Sequence, residues 1–267
     1  MRKDRNAYTV RAVVNALRLL EALADDEAGS GVTDLSRSLG LPKNNVFRLL
    51  ATLEVNGYAE RSPVSGNYRI GARALSLGDS VRGLRRLPEF ARPVLEDLAS
   101  ALGETAHLAV GLGSEVLAIE AREPDRSVRA ATRIGKPRPA HSTALGKVCL
   151  AFSPEPSPLH PELPARTPRT IVDPDKFREH LRAVVSEGFA LDREETETGV
   201  VCAAAPVFDA AGQVVAALSV TAPAFRFDEH GLLQRAVPGV VSAAESLSAQ
   251  LGHGGVRPGI EEPPPLA

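Results

Sequence analysis

"VTDLSRSLGLPKNNVFRLLATLEVNGY", residues 32–58, holds two short helical patterns on either side of one tight turn. In the first, Thr33 has the chemistry of an N-cap, Leu35 and Leu39 share a face, and Gly40 is a stop. In the second, Pro42 suits the first helical position. Val46, Leu49, Leu50 and Leu53 form one apolar stripe, and Asn56-Gly57 closes the helix. Two helices joined by a turn this short read as a helix-turn-helix, with the second as the recognition helix.

The flanks complete the unit. Upstream, residues 8–25 place Val10, Val13, Val14, Leu17, Leu20 and Leu23 at helical spacing, which predicts a strong amphipathic helix. Downstream, "YAERSPVSGNYRI" predicts a hairpin turning at Ser62–Asn67. Three helices and a hairpin make a winged helix-turn-helix. With the Val46 stripe buried, Asn44, Arg48 and Ala51 lie opposite it, and Lys43, Asn45, Phe47 and Thr52 lie on its flanks. Asparagine can pair with adenine at two points, and arginine with guanine or phosphate. The alternative is a solvated helix face on a winged helix that contacts protein. Thr33, Lys43, Asn44, Asn45, Phe47, Arg48, Thr52 and Arg61 are the candidate DNA contacts.

With 267 residues, the chain is long enough for two domains. Residues 1–80 carry 11 Lys+Arg against 9 Asp+Glu, whereas the whole chain is at −2, so the basic excess sits with the proposed DNA reader. No apolar run is long enough to cross a membrane. The start, "MRKDRNAYTV", lacks the apolar stretch of a signal peptide. Two distant cysteines make no disulfide framework, so a cytoplasmic setting is expected.

The expected architecture is α+β: an N-terminal winged helix-turn-helix over 1–71, a linker helix over 72–87, an α/β domain over 88–252 and a disordered tail over 253–267. The α/β part opens with a helix closed by Gly103. Strands follow at 104–112, 115–123 and 128–134, then a short helix in "STALGKVCLAF". A Pro-rich loop covers 153–170, and Asp173 caps another helix. Two strands joined at "AAG" precede a long helix over roughly 228–251.

Most motifs for chemistry fail. "TALGKV" lacks both the earlier glycine and the hydroxyl residue of a phosphate loop. There is no G-x-S-x-G, no H-x-x-x-H and no C-x-x-C. His107, in a strand, reads as a packed residue, and Cys149 as core. "LDREETETGVVC", residues 191–202, reads three ways: a metal site, a cysteine nucleophile with its acid, or the polar lining of a pocket.

Six stretches, in matching order and spacing over about residues 8–252, resemble the IclR family of bacterial transcriptional regulators. They are "AVVNALRLLEAL", "GVTDLSRSLGLPKNNVFRLLATLEVNGY", "YRIGARALSLG", "GETAHLAV", "PAHSTALGKVCLA" and "GFALDREETETGVVCAAAPVFDAAGQVVAALSVTAP". The resemblance implies a GAF-like effector-sensing domain behind the winged helix. It also implies a homodimer or dimer of dimers on double-stranded operator DNA, controlling catabolic genes in response to a small organic acid or aromatic metabolite. It implies no membrane association, cofactor or catalysis. The competing reading is a zinc-binding or cysteine-dependent enzyme built on the C-terminal domain.

Carried over residue by residue, the family's effector site falls on Ala144, Leu145, Asp192, Cys202, Ser219 and Thr221. Ser219 and Thr221, two apart in a strand, share a face. Asp192 beside an anion needs a proton or a hydrogen-bond donor. One departure is visible: where the family's recognition helix commonly begins Lys-Ser-Thr, this one has Lys43-Asn44-Asn45.

Overall fold

The computed structural model describes residues 9–26, 28–74, 87–153 and 163–254. The chain divides into two compact units at Arg85/Arg86. The linker-helix expectation falls mainly on residues 75–86, which lie outside the described residues, as do 154–162 of the Pro-rich loop and 255–267 of the tail.

The first unit contains α1 (Arg11–Ala24), α2 (Val32–Leu39), α3 (Lys43–Val55) and the hairpin β1 (Ala59–Arg61) and β2 (Tyr68–Ile70). Its core is Leu19, Leu23, Leu35, Val46, Leu50, Leu53, Ala59 and Tyr68. Gly40 ends α2 in the left-handed region, φ 66°, which a side chain would resist. Ser36 ties the turn shut by donating its hydroxyl to the Leu41 carbonyl at 2.6 Å.

Two local expectations need correction, and α1 shows which of its faces is buried. Helix α2 starts at Val32 with Gly31 as its N-cap, so Thr33 lies inside the first turn and caps nothing. Pro42 is the N-cap of α3, one position earlier than expected; its carbonyl accepts the Val46 N–H at 3.1 Å. Helix α1 has apolar residues on two faces, and the face with Leu19 and Leu23 packs inward, leaving Val10, Val13, Val14 and Leu17 exposed.

Among the described residues, the second unit is built on one antiparallel sheet of six strands in the order β5-β4-β3-β8-β7-β6. The strands are β3 (Thr105–Leu112), β4 (Glu115–Arg122), β5 (Pro137–Pro139), β6 (Ala190–Arg193), β7 (Val200–Phe208) and β8 (Val214–Pro223). Helices α5 (Ala144–Ala151) and α6 (Pro174–Glu187) bury Val148, Phe177, Leu181 and Val184 against Ala190, Ala204 and Ala217, which lie on one sheet face. The helix α4 (Leu87–Leu102) also packs on the sheet, through β3 and β4. Small residues on the strands let the helices approach closely, in keeping with an aromatic-poor core.

The expected strand over 128–134 is irregular. Side chains, not a ladder, serve its backbone: Thr105 and Arg226 donate to the Ala130 and Val128 carbonyls, and Glu123 accepts the Thr132 N–H. The short β5 takes the edge instead, where prolines 137 and 139 are tolerated for want of a second neighbour. The predicted helix over 228–251 is interrupted. A single turn, α7 (Glu229–Gly231), widens into a π segment at Leu232–Ala236 before α8 (Val237–Gln250). Pro238, without an N–H and crowding the preceding turn, accounts for the wider winding.

Candidate functional site

On α3, Lys43, Asn44, Asn45, Phe47, Arg48 and Thr52 are all exposed, while Val46, Leu50 and Leu53 anchor the opposite side. Phe47 is 51% exposed, which leaves an aromatic ring among polar neighbours on an outer helix face. Among the described residues, the polar heads of Lys43, Asn44, Asn45 and Arg48 have no protein partner, so they are free to meet a ligand. Thr52 is less free, because its hydroxyl donates to the Arg48 carbonyl at 2.8 Å. Thr33 is exposed in the first turn of α2. Arg61 braces the wing by donating to the Gly66 carbonyl and stacking over Tyr68.

In the second unit, strand register assembles the polar face. Directly paired residues of an antiparallel sheet point the same way. One row across four strands runs Asp192, Cys202, Thr221, Thr105. The next row runs Ala190, Ala204, Ser219, His107 and then Ala121 of β4. The face is the one α5 covers, since Ala190, Ala204 and Ala217 pack with Ala144 and Val148. Cys202 Sγ lies 3.3 Å from Thr221 Oγ1. Ser219 is fully buried, and its hydroxyl has no partner; buried His107 likewise leaves Nδ1 unpartnered. Unpaired buried polar atoms are uncommon and mark places where a ligand or water completes the bonding.

At the start of α5, Thr143 accepts the Gly146 N–H at 3.1 Å, while the first-turn N–H groups of Ala144 and Leu145 have no acceptor within the helix. Ala144 is buried and Leu145 half-buried. Gly146 is needed for approach, because a Cβ there would stand 2.2 Å from the Ala140 Cα. This explains the "GK" pair that failed as a phosphate loop. Its glycine lets the helix pass the preceding turn, and its lysine goes inward.

Lys147 is completely buried and donates to Glu195 Oε1 at 2.6 Å and to the Leu191 carbonyl at 2.9 Å. Burial pushes its pKa down, and the Glu195 carboxylate opposes that shift. Within the stretch 191–202, Glu195 is therefore part of a buried ion pair, while Glu197, Thr198 and Gly199 are exposed. Among the described residues no group of three or more His, Cys, Asp or Glu could hold a metal ion. Asp192 finds its donors in the backbone, accepting the Glu195 N–H at 2.6 Å and the Thr196 N–H at 3.3 Å. Burial still raises its pKa to about 6. Glu194 is the one non-glycine residue with positive φ, 61°, among those described; Arg169 and the Gly199 N–H hold its carboxylate. Burial lifts the thiols of Cys149 and Cys202 to about 12, leaving both protonated and weakly nucleophilic.

Lys147, Glu195 and His107 were missed as site residues from sequence. For His107 a signal existed: Thr105 and His107 are polar at period two in an otherwise apolar strand, the pattern that singled out Ser219 and Thr221. Nothing local marks Lys147 and Glu195, 48 residues apart, as partners.

A helix-turn-helix with an uncommitted polar recognition face, on one chain with an α/β domain holding a buried polar face, defines a DNA-binding regulator of the one-component kind. Comparison with known proteins gives the family. Residues 12–63 match the IclR helix-turn-helix domain, and residues 84–249 match the bacterial transcriptional regulator IclR C-terminal domain. The glycerol operon regulatory protein of Streptomyces coelicolor is 35% identical over 252 residues, covering 93% of this chain and 99% of that protein. The transcriptional repressor IclR of Escherichia coli is 31% identical, covering 93% and 92%. An IclR homolog from Microbacterium hydrocarbonoxydans, solved with 4-hydroxybenzoate, superposes with a TM-score of 0.76 at 25% identity, covering 90% and 98%. The chain belongs to the IclR family of bacterial transcriptional regulators, with an N-terminal helix-turn-helix DNA-binding domain and a C-terminal effector-binding domain.

Proposed function

We propose that this regulator reads double-stranded operator DNA through α3 and answers to a small organic acid held between α5 and the strand face of β7 and β8. The DNA contacts are Lys43, Asn44, Asn45, Phe47 and Arg48 on α3, with Thr33, Thr52 and Arg61 toward the phosphates. The effector contacts are Ala144, Leu145, Asp192, Cys202, Ser219 and Thr221. The observation that carries the sensing half is the fully buried, unpartnered Ser219 hydroxyl beside the Cys202–Thr221 pair, opposite a helix start with free N–H groups. The relatives named above, one for a glycerol operon and one holding 4-hydroxybenzoate, support a catabolic role and an effector of this size.

The chain works as a homodimer or dimer of dimers; the exposed Val10, Val13, Val14 and Leu17 stripe of α1 supports association of copies. It works in the cytoplasm, and no helix among the described residues is long and apolar enough to cross a membrane. It uses no cofactor or metal and catalyses nothing; the protonated state of Cys202 speaks for a pocket wall over a nucleophile. The domain layout is 1–71, 72–87, 88–252 and 253–267, with the 72–87 segment carrying the effector's signal to the DNA-reading helices. Coupling of this kind is worth about 1–3 kcal/mol.

The test is fluorescence anisotropy of the DNA upstream of its own gene, across salt concentrations, with and without a panel of small organic acids. Affinity falls log-linearly with salt as phosphate neutralisation releases counterions, and one acid shifts it about 5- to 150-fold. Binding indifferent to salt, or an acid that binds the protein without changing operator affinity, refutes the corresponding half. Asn44→Ala reports the base contact: about 1–3 kcal/mol of preference disappears at one base pair.

A further inference from the structure

Between Lys43 and Leu53, Phe47 is the one large apolar side chain that α3 exposes. It is 51% exposed, while Val46, Leu50 and Leu53 fill the inner face without it. An aromatic ring left half in water forfeits much of what its burial would contribute. The core therefore does not account for Phe47, and a partner does.

The neighbouring side chains name that partner. On a helix, residues three and four apart are adjacent. Phe47 follows Asn44 by three and precedes Ala51 by four; Arg48 follows Asn44 by four and precedes Ala51 by three. Asn44, Phe47 and Arg48 are exposed and Ala51 half-buried, so the four make one patch of an amide, a ring, a guanidinium and a methyl group. No Asp or Glu occurs from Lys43 to Leu53. Among the described residues, the polar heads of Lys43, Asn44 and Arg48 have no protein partner. Unpaired cations without acids among them suit a polyanion. Helix side chains lean toward the N-terminus, so the ring overlies the turn that carries Lys43 and Asn44, the part of a recognition helix that meets base edges.

In the major groove, thymine alone presents an apolar group, its C5-methyl. Guanine, adenine and cytosine present acceptors and donors there, and a phenyl ring would strip these of water without replacing their hydrogen bonds. Three residues rise about 4.5 Å along a helix, close to the roughly 3.4 Å between successive bases. Asn44 and Phe47 therefore reach the same or neighbouring base pairs.

We propose that Phe47 packs on the C5-methyl group of a thymine in the operator, within one base pair of the base that Asn44 contacts. This rests on the DNA-reading role given to α3 under Proposed function. It adds an apolar contact that tells thymine from the other bases, beside the hydrogen bonds of Asn44 and Arg48.

The experiment first selects duplexes that the full chain binds from a randomised pool. One of them is then measured by fluorescence anisotropy, with its thymines replaced one at a time by deoxyuridine, which removes the methyl group alone. At one thymine for each copy of α3 engaged, affinity falls about 4-fold, the worth of one buried methyl group. Phe47→Ala binds the unmodified duplex more weakly by at least that factor and no longer distinguishes thymine from deoxyuridine. Phe47→Leu, a smaller apolar side chain, keeps part of the difference. Asn44→Ala keeps the methyl effect and loses its base preference within one base pair of that thymine. Thermal melts of the Phe47 variants stay at the parent's value, because the ring lies outside the core. A deoxyuridine effect that Phe47→Ala retains in full comes from DNA shape and overturns the methyl contact, leaving DNA reading by α3 intact. A scan in which no thymine matters does the same. A sensitive thymine more than one base pair from the Asn44 position overturns the placement. If no duplex is selected, or binding is indifferent to salt, DNA reading by α3 fails and the methyl contact with it.

Discussion

Replacing Lys147 by methionine removes one member of a fully buried ion pair while nearly preserving side-chain volume. The ammonium gives up two hydrogen bonds, to Glu195 Oε1 at 2.6 Å and to the Leu191 carbonyl at 2.9 Å. Glu195 is left buried; its Oε2 already lacks a partner, and its Oε1 retains only a 3.5 Å contact from the Arg193 N–H. Stranding one charge of a buried pair costs about 3–5 kcal/mol, most of it the penalty of the abandoned partner rather than the worth of the pair. At about 2–4 °C per kcal/mol for a domain of this size, the melting transition falls by about 6–20 °C. Replacing Glu195 by leucine in the same chain removes the stranded carboxylate, so the double variant returns to within about 1–2 kcal/mol of the parent. The assay is urea unfolding of the parent, both single variants and the double variant, closed as a double-mutant cycle. A Lys147→Met cost under about 1 kcal/mol, or a double variant that simply sums the singles, refutes the claim that these two charges depend on each other.

Three further outcomes follow from other sites. Arg48→Ala leaves stability within about 0.5 kcal/mol, because the side chain is exposed and unpartnered; if it contacts a phosphate, salt-titrated operator binding loses about one unit of slope. Gly146→Ala drives a Cβ to within 2.2 Å of the Ala140 backbone and costs about 3 kcal/mol, read by chemical unfolding. Asp192 has its pKa raised by burial from 3.8 to about 6, so between those values the folded state keeps a proton that the unfolded state has released. Stability from this group therefore falls as pH rises from about 4 to 6 and stays lower above, by about 3 kcal/mol. Asp192→Asn flattens that part of the profile, and an unchanged pH profile would show that Asp192 titrates normally.

The first unit was legible because its signals are local. Gly40 and Asn56-Gly57 stop helices by backbone preference, and the Val46, Leu50, Leu53 stripe gives the buried face of α3 directly. The buried face of α1 was not legible for the same reason. Apolar residues at helical spacing lie on two faces, and periodicity cannot say which one meets Leu35 and Leu50. The second unit was legible in its long hairpins but not at its edges. β5 and β6 are three and four residues long, and the 128–134 segment owes its path to side chains from distant parts of the chain. Ser219 and Thr221 were readable as sharing a face, but their alignment with His107 and Cys202 depends on register across three strands. A single sequence does not express that register.

The same non-local bonds decide what an effector can move. The loop that leaves β6 after Asp192 and runs to Gly199 is fastened to the start of α5. Thr196 donates to the Ser142 carbonyl at 2.7 Å, and Lys147 reaches back to Leu191 and Glu195. Thr167 and Thr170 hold the loop's other edge through the Glu194 and Glu195 carbonyls. A ligand that binds the free N–H groups of Ala144 and Leu145 while touching Cys202 and Thr221 would therefore act on one hydrogen-bonded body rather than on two independent walls. Packed elements of this kind shift between discrete arrangements instead of deforming gradually. The buried Lys147–Glu195 pair, costly as a source of stability, ties α5 to the loop, and under the proposed function it would make the two respond together. Its apolar replacement separates the two roles: stability recovers in the double variant, while the dependence of operator affinity on effector is reduced.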